Sequence, residues 1–178
     1  MAMKEFSYKL VENDSELKGA FEVRRQVFVG EQGISEDLVF NGGEGEALHI
    51  VVKDGDRVVG TARVRFLKAN QAKLERMALL EPFRRMGIGK RIISFLIEEL
   101  KNRQIEKVVL HAQYGVAEFY KAHGFNVLGL PFGEAGLSSP LNSLAAKKNS
   151  IIIEFLSGGS LKCRYQVTDG KSLLICLT

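Results

Sequence analysis

Apolar positions along the chain switch between two periods. Leu17, Ala20, Phe21, Val23, Val27 and Phe28 recur at spacings of three and four, which sets them on one face of a helix. Asn13-Asp14-Ser15 precede them with side-chain oxygens that can cap free N–H groups, so the pattern predicts a helix from there through about Phe28. Phe6 to Val11 alternates as a first strand. At His49 the period drops to that of a strand. His49 to Lys53 and Val58 to Phe66 are β-branched runs separated by Asp54-Gly55-Asp56-Arg57, which predicts a hairpin turning on Asp54-Gly55. Lys73 to Leu80 is a further strand, ended by Pro82, which has no N–H for the ladder. From Gly89 to about Arg103 the helical spacing returns in Ile92, Ile93, Leu96, Ile97 and Leu100. A short strand at Lys107 to Ala112, a short helix from Val116 to His123 closed by Gly124, and a strand from Phe125 to Leu130 complete the series. A helical crossover between the strands at Lys73 and Lys107 requires them to run parallel and side by side. The fold class expected is α/β: one domain with a mixed, mostly antiparallel sheet flanked by helices.

Composition changes this picture little. The 178 residues are 46% hydrophobic and 26% charged, which suits one compact domain. The formal net charge is +4, and residues 138–178 hold most of it, with Lys147, Lys148, Lys162, Arg164 and Lys171 against Glu154 and Asp169. The first 137 residues are nearly neutral and carry no Arg/Lys run interleaved with aromatics, so no nucleic-acid partner is expected. Cys163 and Cys176 have no zinc-like spacing and read as free thiols; no metal is expected. The opening Met1 to Glu5 lacks an apolar h-region and no run reaches membrane-spanning length, which predicts a cytoplasmic protein without a membrane partner.

The segment most telling for chemistry is Leu74 to Lys90. A strand enters the loop Arg84-Arg85-Met86-Gly87-Ile88-Gly89, and that loop opens an amphipathic helix. Gly87 and Gly89 let the backbone approach a ligand closely, and consecutive N–H groups at a helix start attract an anion. Arg84, Arg85, Lys90 and Arg91 add positive charge suited to several phosphates. A P-loop is excluded because Arg91, not Ser or Thr, follows Lys90; the third glycine of a dinucleotide fingerprint would fall at Ile92. A glycine turn before a helix that binds nothing remains the alternative from this loop alone.

Arg84-x-x-Gly87-x-Gly89 resembles the pyrophosphate motif of the GNAT N-acetyltransferases, and Ala117-Glu118-Phe119-Tyr120-Lys121-Ala122-His123-Gly124-Phe125 resembles their later segment, in family order and at family separation. Val23 to Gln32 and Leu110-His111-Ala112-Gln113 further resemble an ElaA-like and YjcF-like subgroup. The resemblance covers roughly residues 5 to 137. It implies that acetyl-CoA is the cosubstrate, held between a splayed pair of parallel strands by Met77, Ala78, Leu79, Arg84, Arg85, Met86, Gly87, Ile88, Gly89, Lys90, Gln113, Phe119 and Tyr120. It also implies transfer of the acetyl group to a small-molecule or peptide amine by direct attack, with Tyr120 protonating the leaving thiolate.

The base that frees the amine is ranked as Glu75 ahead of His111. Regular alternation places Glu75 on the same strand face as Met77, while His111 lies on the neighbouring strand and His49 on an earlier one. Arg24, Phe28 and Gln32 are the candidate acceptor contacts, although a solvated helix face explains Arg24 equally well. Two other readings stay open: a GNAT module that senses acyl-CoA without turnover, and an acyltransferase using longer acyl groups or another acceptor, such as a homoserine-lactone-type synthase. After Leu137 the chain leaves the family pattern. The expected division is 1–137 as the catalytic domain and 138–178 as a C-terminal appendage, with Ile151 to Leu156 as a possible closing strand. A monomer or homodimer is expected.

Overall fold

The computed structural model describes residues 5–67, 70–113, 117–132 and 150–156. Its strands are β1 (Ser7–Leu10), β2 (Leu48–Asp54), β3 (Arg57–Phe66), β4 (Gln71–Leu79), β5 (Lys107–Gln113), β6 (Asn126–Phe132) and β7 (Ser150–Leu156). They form one sheet in the order β1-β2-β3-β4-β5-β7-β6. Every neighbouring pair is antiparallel except β4 and β5, which are parallel. This is the mixed sheet with one parallel pair that the helical crossover requires.

Helix α1 (Asp14–Arg24) starts where the capping residues place it: Asn13 Oδ1 accepts the Glu16 N–H at 3.0 Å. It does not end at Phe28 as an ordinary helix but widens into a π-helical stretch, Arg25–Glu31. A four-residue helix, α2 (Glu36–Val39), interrupts the glycine-rich segment that follows. The hairpin between β2 and β3 turns on Gly55 and Asp56, with Asp54 paired to Arg57, one residue later than the sequence pattern predicts. Gly55 has φ +58°, a conformation glycine adopts without strain.

Helix α3 (Ile88–Asn102) connects β4 to β5 and buries Ile92, Ile93, Leu96 and Leu100 in the core. Each contributes roughly 1.5–3 kcal/mol by leaving water. Helix α4 (Ala117–Lys121) places Tyr120 in the same core, and Phe125 joins it from the turn that leads to β6. Among the described residues no helix is long and apolar enough to cross a membrane.

The closing strand suggested by Ile151 to Leu156 forms as β7 within the C-terminal segment. Strand β7 lies between β5 and β6, pairing Lys107↔Leu156 through Gln113↔Ser150 on one edge and Asn126↔Glu154 on the other. Residues 150–156 are therefore part of the sheet rather than an appendage. The segments 133–149 and 157–178, with both cysteines, lie outside the described residues.

Candidate active site

The parallel ladder between β4 and β5 stops early. Its pairs run from Gln71↔Lys107 to Leu74↔Leu110, yet β4 continues to Leu79 and β5 to Gln113, each still paired on its far edge to β3 or β7. A wedge opens between residues 75–79 and 111–113, at the carboxyl ends of parallel strands where α/β sheets bind ligands. Met77, Ala78 and Leu79, expected to line the coenzyme, form the β4 side of it. The Gln113 backbone lies on the β5 side.

A bulge inside β4 changes which side chains share a face. Thr61 pairs with Ala78 and Arg63 with Glu75, so Ala62 alone faces both Arg76 and Met77. Arg76 takes φ +53°, the left-handed region. Its guanidinium is held by the carbonyls of Val39 and Leu38, at 2.8 Å each, which fixes the bulge. Alternation is broken there. Glu75 faces Arg63, whereas Met77 is carried to the opposite side of the sheet, which corrects the expectation that the two share a face.

The loop after β4 lines a cavity of about 220 Å³ with Leu79, Arg84, Arg85, Gly87, Gly89, Lys90 and Phe119. Gly87, with φ +77°, caps α3, and open space lies where its Cβ would be. The first N–H groups of α3 have no partner within the helix, so they offer donors to an anion in that cavity. Arg85, Met86 and Lys90 are exposed, while Ile88 is buried and anchors the helix start. Arg84 is employed differently from the other cations. Its Nε donates to the Leu79 carbonyl at 3.1 Å and its Nη2 to Glu31, tying the loop to the end of the π-helical stretch. A larger depression of about 440 Å³, lined by Ser94, Ile97, Glu98, Lys101 and Asn102, is formed by α3 alone and has none of these backbone donors.

Tyr120 is fully buried and its hydroxyl lies 3.8 Å from the Met77 sulfur, on the wedge side of β4. Phe119 and Phe125 hold its ring edge-on at 5.1 and 5.6 Å. Glu75 is buried on the other face, where Arg63 at 2.7 Å, Arg65 at 2.9 Å and Lys73 at 3.3 Å surround its carboxylate. Desolvation raises its pKa, but the three cations outweigh it and bring the group down to about 2. A carboxylate so strongly acidic is a poor proton acceptor at neutral pH. His111 stands one residue past the last β4–β5 pair on β5. Burial, then the Lys73 charge, lowers it to about 4, so it is neutral at pH 7.

Two of the three expected acceptor contacts are closed off. Phe28 is fully buried in the core. Arg24 is equally buried rather than on a solvated face; it bonds Glu44 at 3.0 Å and His49 Nδ1 at 2.9 Å. Gln32 differs, because both polar atoms of its amide are buried without a hydrogen-bond partner among the described residues. The sequence reading passed over Arg63, Arg65 and Glu44. For the two arginines the signal was Thr61-Ala62-Arg63-Val64-Arg65, in which alternate positions of a largely buried strand are polar. Among the described residues no group of three His, Cys, Asp or Glu side chains is placed to hold a metal ion.

A model of the Acetyltransferase (GNAT) family matches residues 17–125. The chain belongs to that family. It is 37% identical over 129 residues to the uncharacterized N-acetyltransferase YjcF of Bacillus subtilis, covering 72% of this chain and 91% of that protein. Among solved GNAT-like folds, Escherichia coli ElaA superposes with a TM-score of 0.69 at 20% identity, over 85% of this chain and 99% of ElaA. A GNAT family acetyltransferase from Elizabethkingia anophelis, with acetyl-CoA bound, gives 0.69 at 13% identity, over 85% of this chain and 97% of that one. Membership of the GNAT acetyltransferases makes the chain an acyltransferase.

Proposed function

We propose that this acetyltransferase moves the acetyl group of acetyl-CoA to an amine, with both substrates bound together. The early end of the β4–β5 ladder carries the reading, because it leaves strand-edge donors beside a loop built to hold phosphate. The N–H groups opening α3 bind the pyrophosphate, and Arg85 and Lys90 add charge at the rim. The coenzyme supplies an acetyl group activated as a thioester. A free N–H of β4 beyond Leu74 polarises the acetyl carbonyl, a contribution of about 3 kcal/mol for a well-aimed donor. Tyr120 gives its phenolic proton to the sulfur as the carbon–sulfur bond breaks. Its pKa near 10 lies close enough to that of a thiol, roughly 8.5, for balanced transfer.

The amine nitrogen attacks only when neutral. Of the two candidate bases, His111 is favoured over Glu75, since its ring is uncharged whereas three cations occupy the Glu75 carboxylate. Burial and the surrounding cations also oppose an ammonium ion, which shifts the acceptor itself toward the neutral amine. The Gln32 amide is the candidate acceptor contact on the π-helical side. Calorimetry with acetyl-CoA, followed by thiol release across a panel of amines, tests the proposal. Binding without thiol release from any amine would favour the sensing module, a reading supported by the saturation of Glu75.

A further inference from the structure

Gly60 interrupts the run Val58-Val59-Gly60-Thr61 inside β3, where a glycine weakens the strand unless another group needs the space of its side chain. It is buried, and its φ lies outside the left-handed region, so backbone conformation does not account for it. Leu79 does. The two residues pair across β3 and β4, and Leu79 Cδ2 lies 2.5 Å from where a Gly60 Cβ would stand. Leu79 therefore lays the end of its side chain over bare glycine backbone. Val52, paired to Gly60 from β2, closes the far side with its Cβ 3.3 Å from the same point.

The other flank of Leu79 is open. The β4–β5 ladder has ended at Leu74, and Leu79 lines the cavity of about 220 Å³ beside the glycine loop. Its backbone is held from two directions: the Leu79 carbonyl accepts from Arg84 Nε at 3.1 Å, and the Leu80 N–H donates to the Val59 carbonyl at 3.0 Å. Val52 is fully buried in close-packed core, so a side chain at position 60 finds no room toward β2. What can turn is the isobutyl end of Leu79. With β3 filled, the direction left to it is the cavity.

We propose that Gly60 is a positioning residue for the coenzyme: by lacking a side chain it seats Leu79 over β3 and keeps the wall of the cavity clear. This deepens the acetyl-transfer reading and rests on its placement of the coenzyme beside Gly87. Gly60 touches no substrate and acts through Leu79.

A double-substitution cycle isolates that coupling. CoA is titrated calorimetrically into the full-length wild type, Gly60→Ala, Leu79→Ala and the variant carrying both, and each is melted with and without CoA. Gly60→Ala is expected to weaken CoA binding by at least about tenfold, and the rise in melting temperature that CoA produces shrinks to match. In the Leu79→Ala background the same change is expected to alter affinity by less than about threefold. A purely structural role lowers the melting temperature and leaves CoA affinity where it was. Gly60→Ala with wild-type affinity, or with an equal loss in both backgrounds, overturns the proposal. If Gly60→Ala does not fold, Leu79→Phe decides. Its ring is too large for the seat over a glycine and stands in the cavity, at a similar loss of CoA affinity; wild-type affinity there overturns the proposal. Gly87→Asn tests the cavity itself. Unchanged CoA binding in that variant would remove the coenzyme from this site, whereas a loss there with none in Gly60→Ala would overturn the positioning role alone.

Discussion

The Tyr120 hydroxyl meets the Met77 sulfur at 3.8 Å, so α4 delivers its phenol to the stretch of β4 that β5 no longer covers. Tyr120→Phe keeps the ring and its contacts with Phe119 and Phe125 but removes the proton donor. Turnover is expected to fall by about 10²-fold to 10⁴-fold, the range for a positioned acid, with acetyl-CoA affinity changed less than about threefold. Steady-state thiol release beside calorimetry measures both. Equal losses in the two would assign Tyr120 to packing.

Gly87 separates backbone strain from ligand access. Gly87→Asn retains a residue that tolerates left-handed φ, so the fold should survive, but its Cβ enters space now open toward the loop cavity. Acetyl-CoA affinity is expected to drop at least tenfold, about 1.4 kcal/mol. An Asn variant with wild-type affinity and an intact melt would remove this loop from the coenzyme site.

Glu75 sets an acid limit on stability. Its folded pKa of about 2 lies below its ordinary value of 4.5. The stabilisation from its ion pairs is therefore complete above about pH 5 and is lost as the pH falls from there toward 2. Glu75→Gln leaves Arg63 without that partner and should cost about 3–5 kcal/mol at pH 7. The gap in melting temperature between wild type and variant should narrow on acidification across this window. A gap that stays constant from pH 7 to pH 3 would contradict the ion-pair account.

Truncation after residue 146 removes β7. The inner edges of β5 and β6 then lose their ladder, and exposed strand edges pair with other chains. Aggregated or unfolded protein is expected on size-exclusion chromatography. A monodisperse truncated chain with a cooperative melt near that of the full-length protein would show that the sheet closes without β7.

Most elements were legible because their signals are local. The cap at Asn13, the β2–β3 hairpin and the apolar stripe of α3 each depend on a few adjacent residues. The loop at Gly87 was legible for the same reason, since a glycine pair before an amphipathic helix is a short-range pattern. What stayed hidden depends on distant partners. Nothing within Leu74-Glu75-Arg76-Met77 announces a bulge, because Arg76 is held in its left-handed conformation by carbonyls of residues 38 and 39. Arg24 read equally as an acceptor contact or a solvated residue, because Glu44 and His49, which close around it, lie twenty and twenty-five positions away. Alternation could not show that Glu75 turns from Met77, since the residue responsible for the switch lies between them.

The placement of β7 also governs the order in which this sheet can be made. A chain emerging from the ribosome releases β5 and β6 before β7, so neither can form its ladder with β7 until that strand is out. At roughly 5–20 residues per second the interval is on the order of seconds, long compared with local folding. During that time β1 to β4 can already form their ladders, while the β5 wall of the wedge lacks one flank. Assembly of the coenzyme cleft is thus tied to the arrival of a late segment that holds none of the motif residues.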